Sequence, residues 1–478
     1  MPYFTIFKTY LVAPFELPLK EQKNLERFLM ILEASKAGDI IQRALEKSKI
    51  KAGRPSYNPY RLFAAIIYGF AKHSGSLRKI EESMRYDLRF LFLMEGQIPS
   101  YVTIGDFLNN VVVTYQKELF STMIQTIIST FKLSTDDVFL DGTKMEANAN
   151  KYKFVWRPTT AHKNLNEKIR TLLVHYFDIA SSKTSFLAKE IAEYLSLLAN
   201  QIYQQNLSFE TGSGIRSPQI VKDYKLLSTF MIKSLEYEER YEIMGPNRNS
   251  YYKTDHAATA MNLKADYYAG LGSTMHPAYN LQILVSKGFI LHYYVSQDRT
   301  DLYPFTPCLD EFHHYFGFYP FNLCADAGYG SATNYLYMHD HHIHNFVKSP
   351  SWQNERDGKT IPLYTFDSFG NLHCLNGKMA PPLSSWEHSK PKSKYHAFYH
   401  IPDCSYCRFK SICQAPIKHK KTNNRTFQVN ATLEQFKLEA HANLLSVKGI
   451  EMRVNRSSQV EGVYGIIKQN MDYSRLRR

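Results

Sequence analysis

Residues 138–154, VFLDGTKMEANANKYKF, contain the feature on which the fold depends. Val138, Phe139 and Leu140 form a short apolar run of the kind found in a strand that is buried on both faces. This run delivers Asp141 to the predicted end of the strand, and Gly142 lets the chain turn directly after the carboxylate. An acid placed in this way lies at the edge of a sheet. The same pattern is also typical of an ordinary Asp-Gly turn, so the segment alone does not define a site.

Two later segments supply matching acids. FNLCADAGYG, residues 321–330, is a second strand-like run, and it delivers Asp326 to its end. RSSQVEGVYGIIKQN, residues 456–470, predicts a helix with Val460, Val463, Tyr464 and Ile467 on one apolar face.

On the adjacent face of that helix, Glu461, Gly465 and Lys468 recur at i, i+4 and i+7. This spacing predicts a carboxylate and an ammonium in line two turns apart. The glycine between them would let a strand of nucleic acid approach closely. A solvated surface pair would have the same spacing.

Taken in order, DGTKMEANANKYKF, ADAGYG and QVEGVYGIIKQ resemble the motifs of the Asp-Asp-Glu (DDE) transposases of bacterial insertion sequences. The branch concerned has an amino-terminal helix-turn-helix region and a cysteine-bearing insertion, and the resemblance covers nearly the whole chain. It implies that Asp141, Asp326 and Glu461 form a metal-binding catalytic triad on an RNase H-like fold. It also implies that Lys468 is a catalytic residue that holds a DNA phosphate.

One departure from the family pattern concerns an arginine. The pattern places it four residues before the glutamate, where this chain has Ser457, and Arg456 stands one position earlier. Arg456 is therefore a candidate DNA-binding residue whose role the resemblance leaves open.

The predicted fold class is α/β. It comprises an RNase H-like catalytic domain, a mostly α-helical N-terminal DNA-binding region, a helical insertion and a cysteine-containing insertion. The predicted boundaries are 1–50 for an N-terminal helical segment, 51–130 for the helix-turn-helix region, 131–160, 251–349 and 441–478 for the catalytic domain, 161–250 for the helical insertion and 350–440 for the cysteine-containing insertion.

The charge of the chain favours an anionic partner. Its 478 residues carry a formal net charge of +14. A basic surface gains affinity for nucleic acid by displacing counterions from phosphates, so double-stranded DNA is the expected partner. The sequence has no apolar run of membrane-spanning length and no signal sequence, so we expect no membrane association and a cytoplasmic, nucleoid-associated protein.

Residues 51–116 favour a helix-turn-helix unit. LFAAIIYGFAKH, residues 62–73, has helical apolar spacing, and breaks at Gly75 and Pro99 separate it from two further helical segments. The last helix of such a unit could enter a major groove, although helical hairpins also pack without any role in DNA binding. The candidate contacts to the DNA backbone are Arg78, Lys79, Arg85 and Arg89.

Further patterns complete the predicted catalytic fold. Residues 279–298 predict two strands joined by a tight turn at Lys287 and Gly288. Helical patterns before Asp326 and after it lead to a last strand at 344–349. Residues 161–250 predict an antiparallel helical hairpin that is inserted into this fold.

Four cysteines are gathered in the second insertion. Cys374, Cys404, Cys407 and Cys413 follow the pattern C-x29-C-x2-C-x5-C. Thiolates are soft ligands that suit a tetrahedral structural Zn²⁺, so this group could hold zinc or another thiolate-bound metal. The spacing lacks a second Cys-x-x-Cys, and a segment with free thiols is the alternative. The histidines at 339, 341, 342 and 344 are better explained as solvated side chains near a helix end.

The implied chemistry is phosphoryl transfer. Three carboxylates at one sheet edge repel one another unless a cation lies between them, and oxygen ligands select Mg²⁺, for which Mn²⁺ can substitute. By the resemblance, the enzyme would use a two-metal-ion mechanism to cleave the ends of an insertion sequence and transfer the strands. Its partners would be the terminal inverted repeats, target DNA and further copies of the chain on DNA.

Two other functions remain open. One is an RNase H-like nuclease without strand transfer. The other is a truncated, catalytically inactive DNA-binding remnant that represses transposition. It is suggested because the chain stops after DYSRLRR, residues 472–478, where the resembling proteins usually continue.

Overall fold

The computed structural model describes residues 17–47, 57–73, 75–179, 182–209, 217–263, 274–359, 362–387, 389–392, 395–415 and 423–476. Several predicted features lie partly outside these ranges, namely both ends of the segment 1–50, the start of the turn before residue 57, the middle of the loop 208–219, the basic tail 418–425 and the last two residues. The described residues within 1–143, 280–296 and 300–476 form one compact unit, and the described residues within 144–279 and 297–299 form a second.

The first unit begins with a helical region. Its elements are α1 (Leu19–Ala34), α2 (Ala37–Lys47), α3 (Pro59–His73), α4 (Leu77–Tyr86), α5 (Leu88–Met94), α6 (Tyr101–Phe107), a π-helical turn (Leu108–Val112) and α7 (Val113–Phe131). They share an apolar core that includes Leu62, Phe63 and Ile66, as the helical spacing predicted.

One helix predicted in this region is in fact two. Residues 77–94 form α4 and α5, and the break falls at Asp87, whose backbone is extended. The Asp87 carboxylate accepts a hydrogen bond of 2.9 Å from the backbone N–H of Arg89. Because a side chain that satisfies a free N–H favours a helix start, Asp87 begins α5 instead of continuing α4.

The second unit follows strand β1 (Asp137–Ala147), which enters it at residue 144. Its further elements are β2 (Phe154–Trp156), α8 (Thr159–Val174), α9 (Ala188–Gln204), α10 (Gln219–Met244), β3 (Ser250–Tyr252), β4 (Thr259–Leu263) and the first half of β5 (Thr274–Ser286). The strands form the antiparallel pairs β2-β3 and β4-β5. The three helices share one apolar core, so the predicted two-helix hairpin has a third helix packed on it.

Strand β5 continues in the first unit as part of a mixed sheet. The elements that follow are β6 (Phe289–Ser296), α11 (Phe305–Phe316), β7 (Asn322–Ala325), α12 (Ala332–Asp340) and β8 (His344–Val347). The strands lie in the order β6-β5-β1-β7-β8. Strand β6 is antiparallel to β5, and β7 is parallel to both β1 and β8. The turn between β5 and β6 has positive φ at Lys287 and Gly288, as predicted.

The apolar run of β1 is buried on both faces of this sheet, as its composition predicted. Val138 and Leu140 belong to a core shared with α11 and α12. Phe139 belongs to a second core, which includes Val460, Val463 and Tyr464 from the C-terminal helix. Alternate residues of a strand point to opposite faces, so Asp141 is on the face of Phe139, toward that helix.

The cysteine-bearing segment forms small sheets. Its elements are α13 (Trp352–Arg356), β9 (Tyr364–Phe366), β10 (Leu372–Cys374), β11 (Met379–Ala380), β12 (His396–Ile401), α14 (Lys410–Gln414) and β13 (Arg425–Asn430). Strands β9, β10 and β11 form one antiparallel sheet, and β12 pairs with β13 in another.

The C-terminal part of the first unit is helical. It contains α15 (Ala431–Leu445), α16 (Val447–Arg456), a π-helical turn (Ser457–Glu461), α17 (Gly462–Gly465), a second π-helical turn (Ile466–Asn470) and the short strand β14 (Arg475–Leu476). None of the helices in the described ranges is long and apolar enough to cross a membrane.

Gly449 lets α16 follow α15 closely. A Cβ atom at this position would collide with the backbone carbonyl oxygen of Asn443 and the backbone of Leu444. These are main-chain atoms that cannot rotate away. The close approach fixes where α16 starts, and α16 carries Arg456.

We expect Gly449→Ala to destabilise the protein by about 1–3 kcal/mol, because the added methyl group overpacks a backbone contact. The measurement is the shift in melting temperature. Gly462→Ala is the matched control, since a Cβ at Gly462 meets nothing within 4 Å. The control should be neutral or stabilising by up to about 1 kcal/mol because alanine is the better helix former. Equal melting temperatures for the two variants would contradict this account.

Candidate active site

Asp141 and Asp326 come from neighbouring parallel strands. The paired residues of β1 and β7 end with Leu140 opposite Ala325. The next residue on each strand is an aspartate, so the two carboxylates emerge side by side at the same edge of the ladder. Neighbouring strands are separated by about 4.8 Å, which keeps the two acids close together.

The structure corrects the prediction that β1 ends at Asp141. The strand continues to Ala147, and Gly142 lies inside it without a positive φ. Glycine is needed here for space, because a Cβ at Gly142 would collide with the side chains of Gln282 and Asp301. The glycine therefore permits a close approach of two side chains and does not form a turn.

Arg456 bridges the two aspartates. Its Nη1 lies 3.3 Å from Asp141 Oδ2, and its Nη2 lies 3.7 Å from Asp326 Oδ1. The Arg456 side chain is only 13% exposed and that of Asp141 22%, whereas Asp326 is 51% exposed. A cation is thus held between two acids in a largely desolvated position, where charges interact more strongly than in water.

The protonation of Asp141 reflects these neighbours. Burial raises the pKa of Asp141 above its usual value, because it disfavours the charged carboxylate. The nearby carboxylates of Asp326 and Asp301 raise it further. The Arg456 guanidinium and the Gly142 N–H lower the pKa but do not cancel the effect of burial.

A π-helical turn explains how Arg456 reaches this position. In a regular α-helix, residues five apart are separated by about 140° around the axis and residues four apart by about 40°. The turn at Ser457–Glu461 closes hydrogen bonds to the fifth residue and so accommodates one extra residue. Arg456 therefore takes the orientation that a residue four positions before Glu461 would have in a regular helix. The one-residue departure seen in the sequence thus coincides with a π-helical turn.

The predicted regular face through Glu461, Gly465 and Lys468 is interrupted. The second π-helical turn begins at Ile466, between Gly465 and Lys468. Lys468 Nζ lies 2.6 Å from Thr143 Oγ1, two residues beyond Asp141 on β1. Glu461 is exposed. Across the described ranges, no three His, Cys, Asp or Glu side chains are grouped closely enough to hold a metal ion, so Glu461 does not already form a cluster with the two aspartates.

Tyr464 ties the C-terminal helix to the sheet below the acids. Its hydroxyl is 2.8 Å from the carbonyl oxygen of Asp141 and 3.0 Å from that of Leu281. Burial raises the pKa of Tyr464 well above its usual value, so the hydroxyl remains a donor. It can donate to one carbonyl at a time and thereby links the helix to β1 or β5.

Asp301 is a further acid near Asp141, and sequence reasoning missed it. Its Oδ1 accepts hydrogen bonds from Asn280 Nδ2 at 2.9 Å and from Gln282 Nε2 at 3.0 Å. The hydroxyl of Tyr329 donates to the other amide atom of Gln282, Oε1. Asn280 and Gln282 are fully buried polar residues that alternate along β5. Two amide side chains at alternate positions of an otherwise apolar strand indicate a polar site on one face of that strand, and this pattern is visible in the sequence.

The candidate DNA-binding residues of the helical region lie near the start of α4 and around its junction with α5. Arg78 and Lys79 are exposed, and the guanidinium of Arg78 lies 5.1 Å from the ring centre of Tyr101. Arg85 pairs with Glu81 at 2.7 Å, and Arg89 pairs with Asp87 at 2.6 Å. Two of the four cations are therefore already neutralised by acids of the same region.

The cysteines and histidines are separate from the carboxylates. Cys374, Cys404, Cys407 and Cys413 line one small cavity in the segment with the small sheets. Among the histidines, the ring of His341 packs against Tyr319 and Tyr337, and that of His344 packs against Phe321. These two rings have packing roles.

Comparison with known families gives two matches. The family described as Transposase domain (DUF772) matches residues 18–110, which lie in the helical region. The family described as Transposase DDE domain matches residues 373–478, which include Glu461, Lys468 and the four cysteines. No curated protein and no solved structure matches the chain.

The mixed α/β fold and these matches define the class of the protein as a nucleic-acid-processing enzyme of the transposase type. The two matches, to a transposase domain and to a transposase DDE domain, support an insertion-sequence DDE transposase. Asp141 and Asp326 lie outside both matched ranges, so their assignment depends on the motifs and on the geometry described above.

We expect Asp301→Ala to destabilise the protein by about 1–3 kcal/mol, because the fully buried side-chain amides of Asn280 and Gln282 each lose one of their two hydrogen-bond acceptors. Thermal unfolding is the measurement. Asp340→Ala is a suitable control, since the Asp340 side chain is 59% exposed. An unchanged melting temperature for Asp301→Ala would show that this network does not support the site.

Proposed function

We propose that this protein cuts DNA at the ends of its own mobile element and joins the freed 3′ ends to a target site. The observation that carries the proposal is the pair of aspartates at the end of the β1-β7 ladder, with a buried cation between them. An acid pair of this kind is costly to maintain without a function, because Asp141 is largely buried and the neighbouring carboxylate of Asp326 repels its charge.

An RNase H-like fold for the catalytic part belongs to the same proposal. It is supported by the sheet order β6-β5-β1-β7-β8, in which a strand with an acid, a hairpin, a helix, a second strand with an acid, a helix and a last strand follow in sequence. The helix-turn-helix role of residues 51–130 is proposed with it. Its support is the match of the transposase domain to residues 18–110.

The donor set at the site fits Mg²⁺. Carboxylate oxygens are hard ligands, and the guanidinium of Arg456 already occupies a position where positive charge is stabilised by both aspartates. Asp141 and Asp326 would hold the metal, and Glu461 would complete the site. When bound, magnesium ions would activate the attacking oxygen and stabilise the leaving oxygen of the phosphodiester.

The residues of the chain contribute binding and positioning. Lys468, placed beside Asp141 by its contact with Thr143, would hold a DNA phosphate. Arg456 contributes a second positive charge at the same edge and can bind phosphate in a bidentate manner. Tyr464 and Asp301 position other groups of the site. Tyr464 hydrogen-bonds to the backbone carbonyl of Asp141, and Asp301 accepts hydrogen bonds from the side-chain amides of β5.

The direct test is excision and joining of a marker flanked by the inverted repeats of the element. We expect Asp141→Asn to lower joined product by about 100-fold or more, because each 1.4 kcal/mol of lost transition-state stabilisation costs a factor of ten and a metal ligand contributes several kcal/mol. Asp340→Asn, the same substitution at an exposed position, should leave the rate unchanged. Joining by Asp141→Asn at the wild-type rate would refute the proposal.

Product analysis separates the competing functions in the same assay. Hydrolysed ends without joined product would identify a nuclease. Specific binding of the ends by wild type and variant, without cleavage by either, would identify a repressing DNA-binding protein.

Arg456→Gln tests whether the Arg456 guanidinium neutralises the carboxylates of Asp141 and Asp326. Without Arg456 the two aspartates lose their counter-cation, so we expect a lower melting temperature in the absence of Mg²⁺ and a larger rise when Mg²⁺ is added. Thermal unfolding across a Mg²⁺ titration measures both effects. Arg453→Gln removes the same charge from the same helix and should respond as wild type does. An equal response of the two variants would argue against a cation site at Asp141 and Asp326.

A further inference from the structure

The four clustered cysteines come from separate pieces of chain that meet at one point. Cys374 ends β10, Cys404 and Cys407 lie in the turn after β12, and Cys413 lies in α14. All four line a single cavity of about 20 Å³. A space of this size holds about one water-sized particle, which is also the scale of a single metal ion.

Backbone hydrogen bonds define the turn after Cys374 and the turn that contains Cys404 and Cys407. After β10, the N–H of Cys374 donates to the carbonyl of Lys378 at 2.9 Å, and the N–H of Gly377 donates to the carbonyl of Cys374 at 2.8 Å. Lys378 Nζ in turn donates to the carbonyl of Pro402 at 3.3 Å, just before Cys404. The two turns are thus tied together independently of the sulfur atoms.

The cavity also has a buried donor without an acceptor. Arg425 lines it beside Cys413, and within the described part of the chain its Nε–H has no hydrogen-bond partner. Lys410 is a second cation in the lining. Four thiolates around Zn²⁺ carry about two negative charges more than the ion neutralises, so a zinc site would supply both the missing acceptor and the charge that these cations match.

The segment has little apolar core of its own. Its buried cluster consists of Leu372, Ala380, Tyr399, Ile401, Phe427 and Val429, spread over two small sheets. Small cores of this kind usually need a metal or a disulfide to be stable. A cross-link at the cavity would join the sheet β9-β10-β11 to the pair β12-β13, and β13 leads directly into α15.

We propose that Cys374, Cys404, Cys407 and Cys413 bind one structural Zn²⁺ ion, which holds the two small sheets together. No three of these side chains are yet grouped at coordinating distance, so binding requires rotation of the thiols within the cavity. Binding releases the thiol protons to solvent and involves no change of oxidation state. The site is independent of the carboxylates and does not rest on the proposed DNA chemistry.

The test is metal analysis of the full-length protein, purified under reducing conditions without chelator. We expect about one zinc ion per chain, retained through gel filtration. Replacement of zinc by Co²⁺ should give intense thiolate-to-cobalt absorption in the near ultraviolet and the visible bands of tetrahedral cobalt. These two measurements need no variant.

Variants assign the ligands. Cys407→Ser should lose most of the zinc, and Cys407 is suitable because it is not part of the apolar cluster around the cavity. Cys308→Ala should keep the zinc, since Cys308 is fully buried in a different core. A reduced wild-type chain with neither zinc nor cobalt-thiolate absorption, a disulfide among the four cysteines, a different metal, or zinc that survives Cys407→Ser would each overturn the proposal.

Discussion

The parallel pairing of β1 with β7 is the constraint on which the proposed site depends. It ends with Leu140 opposite Ala325, so both following aspartates leave the ladder together. A slip of one residue would turn Asp141 to the opposite face of the sheet, because side chains alternate along a strand. The apolar run before Asp141 prevents such a slip, since Val138 and Leu140 fill one core and Phe139 fills the other.

Because side chains alternate along β1, every second residue of this strand faces the C-terminal helix. Phe139, Asp141 and Thr143 share one face of β1, and each has a partner from the last part of the chain: the apolar face of the helix, Arg456 and Lys468. The packing of the C-terminal helix on β1 therefore also positions the cations near Asp141. Burial raises the pKa of Asp141, and the helices that follow residue 447 pack on the same face of β1.

Much of this arrangement could be predicted from local sequence. The buried strands, the turn at Gly288 and the apolar face of the last helix each follow from the composition of a few adjacent residues. What escaped prediction depends on distant partners. The local sequence predicts a turn at Gly142, because the side chains that crowd this glycine, those of Gln282 and Asp301, are far away in sequence. The break at Asp87 is different, since an aspartate within a long helical pattern was a visible capping signal.

The proposed cysteine site and the carboxylate site show two ways in which a chain can gather like groups. The thiols come from a strand end, a turn and a short helix that meet at one cavity, and Lys378 links the first two segments without using a sulfur atom. The aspartates meet through sheet register, and their mutual repulsion is offset by the Arg456 side chain. The sequence alone indicates the cysteine group, because Cys404, Cys407 and Cys413 lie close together in the chain. For the second group, the strand-end motifs predicted the two aspartates, and the strand pairing shows how they are brought together.

The π-helical turn before Glu461 has a consequence for how relatives of this chain are recognised. A π-helical turn contains one residue more than a regular α-helical turn, so the same spatial separation corresponds to one more residue in the sequence. A search pattern with a fixed interval between arginine and glutamate would reject this protein, although Arg456 reaches the aspartates. A pattern that permits one inserted residue would retain it. One extra residue inside a helix can therefore leave the side chains of a motif in the same relative positions when a π-helical turn accommodates it.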